Sequence, residues 1–402
     1  MATPVPMDLF NRYAVNMFDE KQVMQTETVG QCFFGNPASG GRSVYSPDAN
    51  VVEIEIKRAG RRTAALIPRG TISQPLSGHL DMSTEKGTTF SRKYPLSQEQ
   101  GNISSDQLSQ RLIGQNAYAG ITRLEVMRSL AMEYHLENIN RHVRLFERLA
   151  WTSLLTGKMP AILATTNADL IYDFRRNAAN TITPTHGWGN AAGYPLTDID
   201  HACDHIRENG KMRADGVFVG ATTLTYFLVN AQVNAYYLNR PFMDQTRVGP
   251  GSDYPPWARR LEAAGAIIYG KIRTPAGRDL IVFSYDASYT NESSVDTKFM
   301  PDDEAFVFAS GARCDRYFGP PDTLPMIPQR AQWYMETFGF NPMVPPLPQN
   351  ILGAVVEPAM FYVDAFPNES HTVVTLRTQS APIFATTMTD AFVELKAVGN
   401  AS

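Results

Sequence analysis

From Ile121 to Thr156 the chain contains neither proline nor glycine, and Ile139, Val143, Phe146, Ala150 and Leu154 recur along that run at helical spacing. With both breakers absent and one apolar stripe present, the run predicts a single helix about 50 Å long, at about 1.5 Å per residue. Leu124, Met127, Ala131 and Tyr134 carry the stripe upstream, while Glu125, Arg128, Glu133, Glu137, Arg141, Arg144 and Arg148 fill the remaining surface. Glu137 and Arg141 stand four apart in the favourable order. Gly157, followed by Pro160, supplies the stop. Length alone is compatible with a long surface helix of an ordinary enzyme.

Upstream, Val51 to Lys57 alternates as a strand does, with Val52, Ile54 and Ile56 facing one way and Glu53, Glu55 and Lys57 the other. A second extended piece, GTTFSRKYP from Gly87 to Pro95, is its expected partner, Thr88 to Tyr94 pairing with Val51 to Lys57. Between them Pro68, Gly70, Pro75, Gly78 and Gly87 forbid a long helix, which leaves a two-stranded excursion with little core of its own. Ahead of it, MDLFNRYAVNMF carries Leu9, Phe10, Tyr13, Val15 and Phe18, too many apolar groups for a solvated tail, so this segment reads as an arm that docks. GNPASGGRS, from Gly35 to Ser43, reads as flexible.

After Pro184 short strands and helices alternate. PLTDIDHACDHIREN is a helix in which Thr197 caps and Asp200 completes a capping-box-like pair. DGVFVG from Asp215 to Gly220 is a buried strand, and ATTLTYFLVNAQVNAYYLN is the helix after it. AAGAIIYGKI and RDLIVFSYDASY pair through the turn at Pro275 and Gly277, and PDDEAFVFAS adds a strand. Pro342, Pro345, Pro346 and Pro348 mark a stiff linker. HTVVTLRTQSAPIF and DAFVELKAV then close the chain as strand-like runs.

The 402 residues are 43% hydrophobic and 19% charged, enough for a sizeable core in two or three domains, with no internal repeat. A formal net charge of −4 argues against strong attraction to phosphate or to an anionic membrane. No run approaches the roughly 20 apolar residues of a membrane span. Cys32, Cys203 and Cys314 are odd in number and far apart, which favours free thiols in a reducing compartment. The N-terminus MATPVPMDLFNRY lacks the basic start and apolar core of a signal peptide, so the expectation is a protein made inside a cell.

Candidate chemistry is sparse. His201 and His205 stand four apart on a predicted helix, a spacing that lets two imidazoles meet one ion, but Cys203 falls on the apolar side with Ile199 and Ile206, and no metalloprotease-type Glu accompanies them. An ordinary amphipathic helix is the simpler reading. Asp302, Asp303 and Glu304 read as a turn entering a strand rather than an oxygen-ligand cation site. LLTGKMP lacks the upstream glycine and following hydroxyl of a phosphate loop, and VFVGATTL lacks a dinucleotide fingerprint. Lys57, Arg58, Arg61, Arg62 and Arg69, less Glu53 and Glu55, give the excursion +3, without the interleaved aromatics of a single-strand platform. A protein contact is therefore expected there ahead of nucleic acid. With no catalytic cluster but an arm, an excursion and a long helix, the chain has the profile of an assembly subunit whose spare surface neighbours bury.

That order of parts, with FSRKYP, ERLAWTSLLTGKM, IYDFRRNAANTIT, DIDHACDHIRENG, DGVFVGATTLTYFLVN, FMPDDEAFVFAS and RTQSAPIFATTMTDAFVELKA, resembles the lambda-type major capsid proteins of tailed bacteriophages. The resemblance implies an α+β fold of the Hong Kong 97 type. It implies an N-terminal arm (1–49), an E-loop (50–95) and a P-domain (96–190) with its spine helix at about 121–156. It further implies an A-domain (191–345), a P-domain return with its P-loop (346–382) and a C-terminal strand in the A-domain (383–402). Val373 to Phe384 would climb back into the A-domain sheet.

The implied role is a non-catalytic shell subunit that forms hexamers and pentamers around double-stranded DNA, which it contacts weakly. It would need no cofactor or metal, assemble in the host cytoplasm, reside in the virion and not engage a membrane. Implied partners are further copies of the chain, a separate scaffold protein, a portal and a decoration protein. Because the family's E-loop lies across the adjacent subunit, Glu53, Glu55, Lys57, Arg58, Arg61, Arg62 and Arg69 are the expected contacts there. Leu9, Phe10, Tyr13 and Phe18 are the expected contacts of the arm, and Glu137, Arg141, Arg144 and Arg148 those of the helix surface. Lys57 and Asn368 are the nearest residue types to the Lys–Asn cross-link of some relatives, but without a partner acid no cross-link is expected. An encapsulin-like compartment and a metal-dependent enzyme using His201 and His205 are the alternatives.

Overall fold

The computed structural model describes residues 28–46, 51–56, 89–115, 123–160, 171–238, 254–291, 294–320, 360–367 and 373–396. The long helix runs Arg123–Thr156. Ile139, Phe146, Ala150 and Leu154 are buried on it and Val143 is half-buried, as the stripe requires. Gly157 ends it at φ +67°, a left-handed conformation open to glycine at little cost.

The stripe packs against two sheets. One is three-stranded and antiparallel: Val373–Ser380 lies between Tyr362–Pro367 and Ser97–Ser104. Against it the first half of the helix packs Val126, Leu130 and Ala131 with Ile103 and Leu376. The other has Cys314–Phe318 at its centre, parallel to Ser43–Tyr45 and antiparallel to Pro382–Thr386. Here Phe146 meets Phe318 and Phe384, each at 5.7 Å between ring centroids.

Beyond the helix end stands a six-stranded mixed sheet in the order Thr181–Ile182, Phe392–Leu395, Ala305–Phe308, Gly216–Val219, Asp279–Ser284, Ile267–Arg273. Its central strands, Ala305–Phe308 and Gly216–Val219, are buried throughout, which explains their unbroken apolar runs. The predicted hairpin forms, Ile267–Arg273 pairing with Asp279–Ser284 around Gly277 at φ +80°. Helix Pro195–His205 lies against Phe392–Leu395 and Ala305–Phe308. Trp257 of helix Pro256–Ala263 reaches Phe283 and Phe308.

Four expectations change. Thr197 does not cap: Pro195 occupies the first helical turn with Tyr194 at the cap position, and Asp200 is buried, accepting from Ala276 N at 3.1 Å. ATTLTYFLVNAQVNAYYLN is two helices, Ala221–Val229 and Ala231–Leu238, because Asn230 turns extended (ψ 127°) and its Oδ1 accepts from Gln232 N and Val233 N. An asparagine competes with the helix for those donors, and here it wins.

Gly35 to Ser43 is built rather than flexible. Gly35 (φ +65°) and Gly40 (φ +74°) make its turns, Gly35 N donates to Cys314 O and Arg42 N to Asp315 Oδ1. Finally, Val373 to Phe384 does not enter the six-stranded sheet. It divides at Ala381 between the two three-stranded sheets, and only Phe392–Leu395 reaches the larger one.

Candidate subunit interface

The excursion begins as an antiparallel ladder, Val51–Glu55 against Thr89–Lys93, with Val51 opposite Lys93 and Glu55 opposite Thr89. The alternation holds: Val52, Ile54 and Ile56 are buried in the main core while Glu53 is exposed. Tyr172 fixes the ladder's base by donating to Lys93 O, and the Arg92 guanidinium lies 5.8 Å from the Tyr172 ring centroid. Tyr94 donates to Ser46 Oγ at 3.2 Å. Lys57, Arg58, Arg61, Arg62 and Arg69 lie outside the described residues, as do Leu9, Phe10, Tyr13, Phe18 and Asn368, and nothing is described of the Glu55 side chain.

On the long helix Arg141 joins Glu137 (3.2 Å) and, across to the neighbouring sheet, Glu99 (3.1 Å). Those bonds raise its pKa, Glu99 first, so it stays cationic. Arg144 is exposed. Arg148 is half-buried and stands 4.9 Å over the Tyr289 ring, turned to its own chain. The structure thus brings Glu137 and Arg141 together, leaves Arg144 apart, and places Arg148 elsewhere.

Two residues on the opposite face were not singled out by sequence. His142 is buried between Ser97 Oγ (3.2 Å) and Thr378 O (3.2 Å), and burial lowers its pKa against the pull of Thr378 and Glu99. Glu147 is buried and gathers donors from the N-terminal segment, Gly30 N at 2.8 Å, Gln31 N at 3.3 Å and the Thr28 hydroxyl, together with Trp151 Nε1 at 2.8 Å. Burial raises its pKa although these bonds oppose the shift. The signal was available: Glu147 follows Val143 by four and precedes Trp151 by four, inside the apolar stripe.

His201 is exposed and His205 is half-buried against Asn209, while Cys203 is buried and its thiol is pushed up to about 11 by desolvation. Among the described residues no three His, Cys, Asp or Glu side chains group as a metal site. No described helix is long and apolar enough to cross a membrane.

A solved structure described as the putative capsid protein of a prophage of E. coli CFT073 superposes with a TM-score of 0.59 at 14% identity, over 98% of this chain and 99% of that one. A Microbacterium phage Oxtober96 structure matches at TM-score 0.40 and 11% identity, covering 92% and 91% of the two chains. The encapsulin complex of Synechococcus elongatus PCC 7942 matches at 0.37 and 8%, covering 88% and 85%. No curated protein matches the chain. The architecture is the α+β fold of Hong Kong 97 type capsid proteins. The model of the family described as phage major capsid protein E matches residues 44–397, so the chain belongs to that family and is a shell-forming structural protein of the virion capsid.

Proposed function

We propose that the subunit assembles into hexamers and pentamers of an icosahedral shell around a double-stranded DNA genome, and that it catalyses no reaction. The carrying observation is the ladder of Val51–Glu55 and Thr89–Lys93: its base is tied to the core, and the chain between its strands holds Lys57, Arg58, Arg61, Arg62 and Arg69. A ladder rooted this way supports an E-loop that reaches an acidic surface of the adjacent subunit. The slightly acidic chain suits a wall that encloses DNA without adhering to it. Assembly in the host cytoplasm with a scaffold protein, a portal and a decoration protein completes the reading.

The test replaces Arg58, Arg61 and Arg62 together by Ala in the full-length chain. Negative-stain electron microscopy should show shells or capsomers for the parent and none for the variant, while urea denaturation of the soluble subunit shifts by no more than about 0.5 kcal/mol. Shells of normal yield from the variant would refute the role assigned to the basic segment. A stability loss above about 2 kcal/mol would instead place it in a core.

A further inference from the structure

From Gly216 to Asn239 the chain holds no Asp, Glu, Lys or Arg, and from Asn177 to Thr197 it again holds none, although charged residues make up 19% of the whole. The lack of charge is expected of a buried strand such as Gly216–Val219. It is not expected of a solvated helix, whose outer face ordinarily carries charge. Yet helix Ala221–Val229 buries Thr223, Leu224 and Phe227 and exposes Thr222, Thr225, Leu228 and Val229. Leu228 is 55% exposed and Val229 72%.

The two uncharged stretches meet in one fixed knot. Buried Asn230 donates through Nδ2 to Trp188 O at 3.4 Å and to Gly193 O at 3.3 Å. Trp188 Nε1 donates in turn to Asp198 Oδ2 at 2.9 Å, and its ring lies 5.8 Å from that of Phe227. A Cβ on Gly189 would stand 3.1 Å from the Tyr226 ring, so the loop presses directly on the helix. Asn234 Nδ2 donates to Leu228 O at 3.2 Å and closes the next helix on the first. Tyr194 and Val229 each stand one residue from the bond between Gly193 and Asn230, and Tyr194 is 53% exposed. The knot is rigid, and its outside carries three large apolar side chains.

One exposed apolar side chain needs no explanation. Three on a single knot without charge have the composition of an interface core, where charged residues are depleted and aromatic ones enriched. Nucleic acid would need cations there to meet phosphate, and a foreign partner selected by charge would need a charge pattern; these stretches offer neither. The chain is a shell-forming protein, so copies of itself are the neighbours it must meet. We propose that Tyr194, Leu228 and Val229 form the apolar centre of a contact between subunits, covered by a second copy of this chain. The proposal rests on the shell reading above and adds to it a contact distinct in chemistry from the basic segment of the excursion.

The experiment compares the full-length protein as soluble subunits and as shells, scored by electron microscopy. Val229→Cys places an accessible thiol on the knot, since Cys32, Cys203 and Cys314 are buried. Its reaction with N-ethylmaleimide should be at least about tenfold slower in the shell than in the subunit. Val229→Lys should cut the yield of shells by at least about tenfold, because it buries an unpaired cation at the contact. The same variant should change the unfolding constant of the subunit by less than about threefold, the position being exposed. If the Lys variant does not fold, labelling of the Cys variant decides alone. Equal labelling in subunit and shell, or Lys-variant shells at the parent's yield, would overturn the contact and leave the shell reading in place. Labelling that stays fast in shells of this chain alone, and slows only when another virion protein is added, would assign the knot to that protein and overturn the proposal. A parent that forms no shells under any condition would overturn both.

Discussion

Replacing Glu147 by Leu should detach the N-terminal segment from the long helix before it unfolds anything else. The carboxylate accepts from three N–H groups that cannot rotate away: Gly30 N, Gln31 N and Trp151 Nε1. Its hydroxyl donor, Thr28, can turn to another acceptor. A buried donor left without an acceptor costs about 1–3 kcal/mol, and the lower end applies where the segment can peel off to water, so three of them total about 3 kcal/mol. Relief of the buried carboxylate's desolvation offsets part of this, since burial already raises its pKa. A net loss of about 2–3 kcal/mol follows.

Glu147→Gln is milder. Its carbonyl can keep Gly30 and Trp151 while its amino group faces the Thr28 hydroxyl, leaving Gln31 N orphaned at about 1–2 kcal/mol. The pH dependence separates the two chemistries. Because the folded carboxyl holds its proton above the ordinary value of 4.5, the parent loses stability as pH rises through its folded pKa, and Gln does not. The cost of the Gln variant should therefore shrink from acid to neutral pH. Urea denaturation followed by tryptophan fluorescence gives the free energies, and hydrogen exchange at Gly30 and Gln31 locates the change. A Leu variant within about 0.5 kcal/mol of the parent, with both amides still protected, would show that Glu147 does not hold the segment.

Gly157→Ala should destabilise the subunit by about 1–3 kcal/mol, because its φ of +67° is strained for alanine and the new Cβ would stand 2.4 Å from Arg176 Cβ; differential scanning calorimetry reads the shift. Arg141→Ala should change subunit stability by less than about 1 kcal/mol, its ion pairs with Glu99 and Glu137 being exposed. Loss of shells from that folded variant, scored by electron microscopy, would assign Arg141 to a contact between subunits.

What the sequence disclosed followed periodicity. The stripe through Ile139, Phe146, Ala150 and Leu154, the alternation of Val52, Ile54 and Ile56, and the buried run at Gly216–Val219 all state their structure in a window of a few residues. What it withheld depended on partners far along the chain. Asn230 splits a helical pattern by capping, and its Nδ2 reaches the Trp188 and Gly193 carbonyls. Asp200 looked like a helix cap but serves a turn more than seventy residues away at Ala276. Arg176 and Glu394 have no local signature, since their pairing exists only after the last strand docks.

That docking explains why one helix can govern the whole subunit. Residues 373–395 visit three sheets in turn, and the long helix meets them each time: His142 at Thr378 O, Ser153 at Thr386 Oγ1 (2.7 Å), and Leu155, through Arg176, at Glu394. Between those points Glu147 holds the N-terminal segment. Both described ends of the chain are thus tied to the same rigid bar by contacts more than one hundred residues apart in sequence, which must overcome a large loop-closure entropy. A disturbance at the helix end, where Arg176 joins the Leu155 carbonyl to Glu394 on the final strand Phe392–Leu395, therefore acts on the six-stranded sheet and on the helix at once.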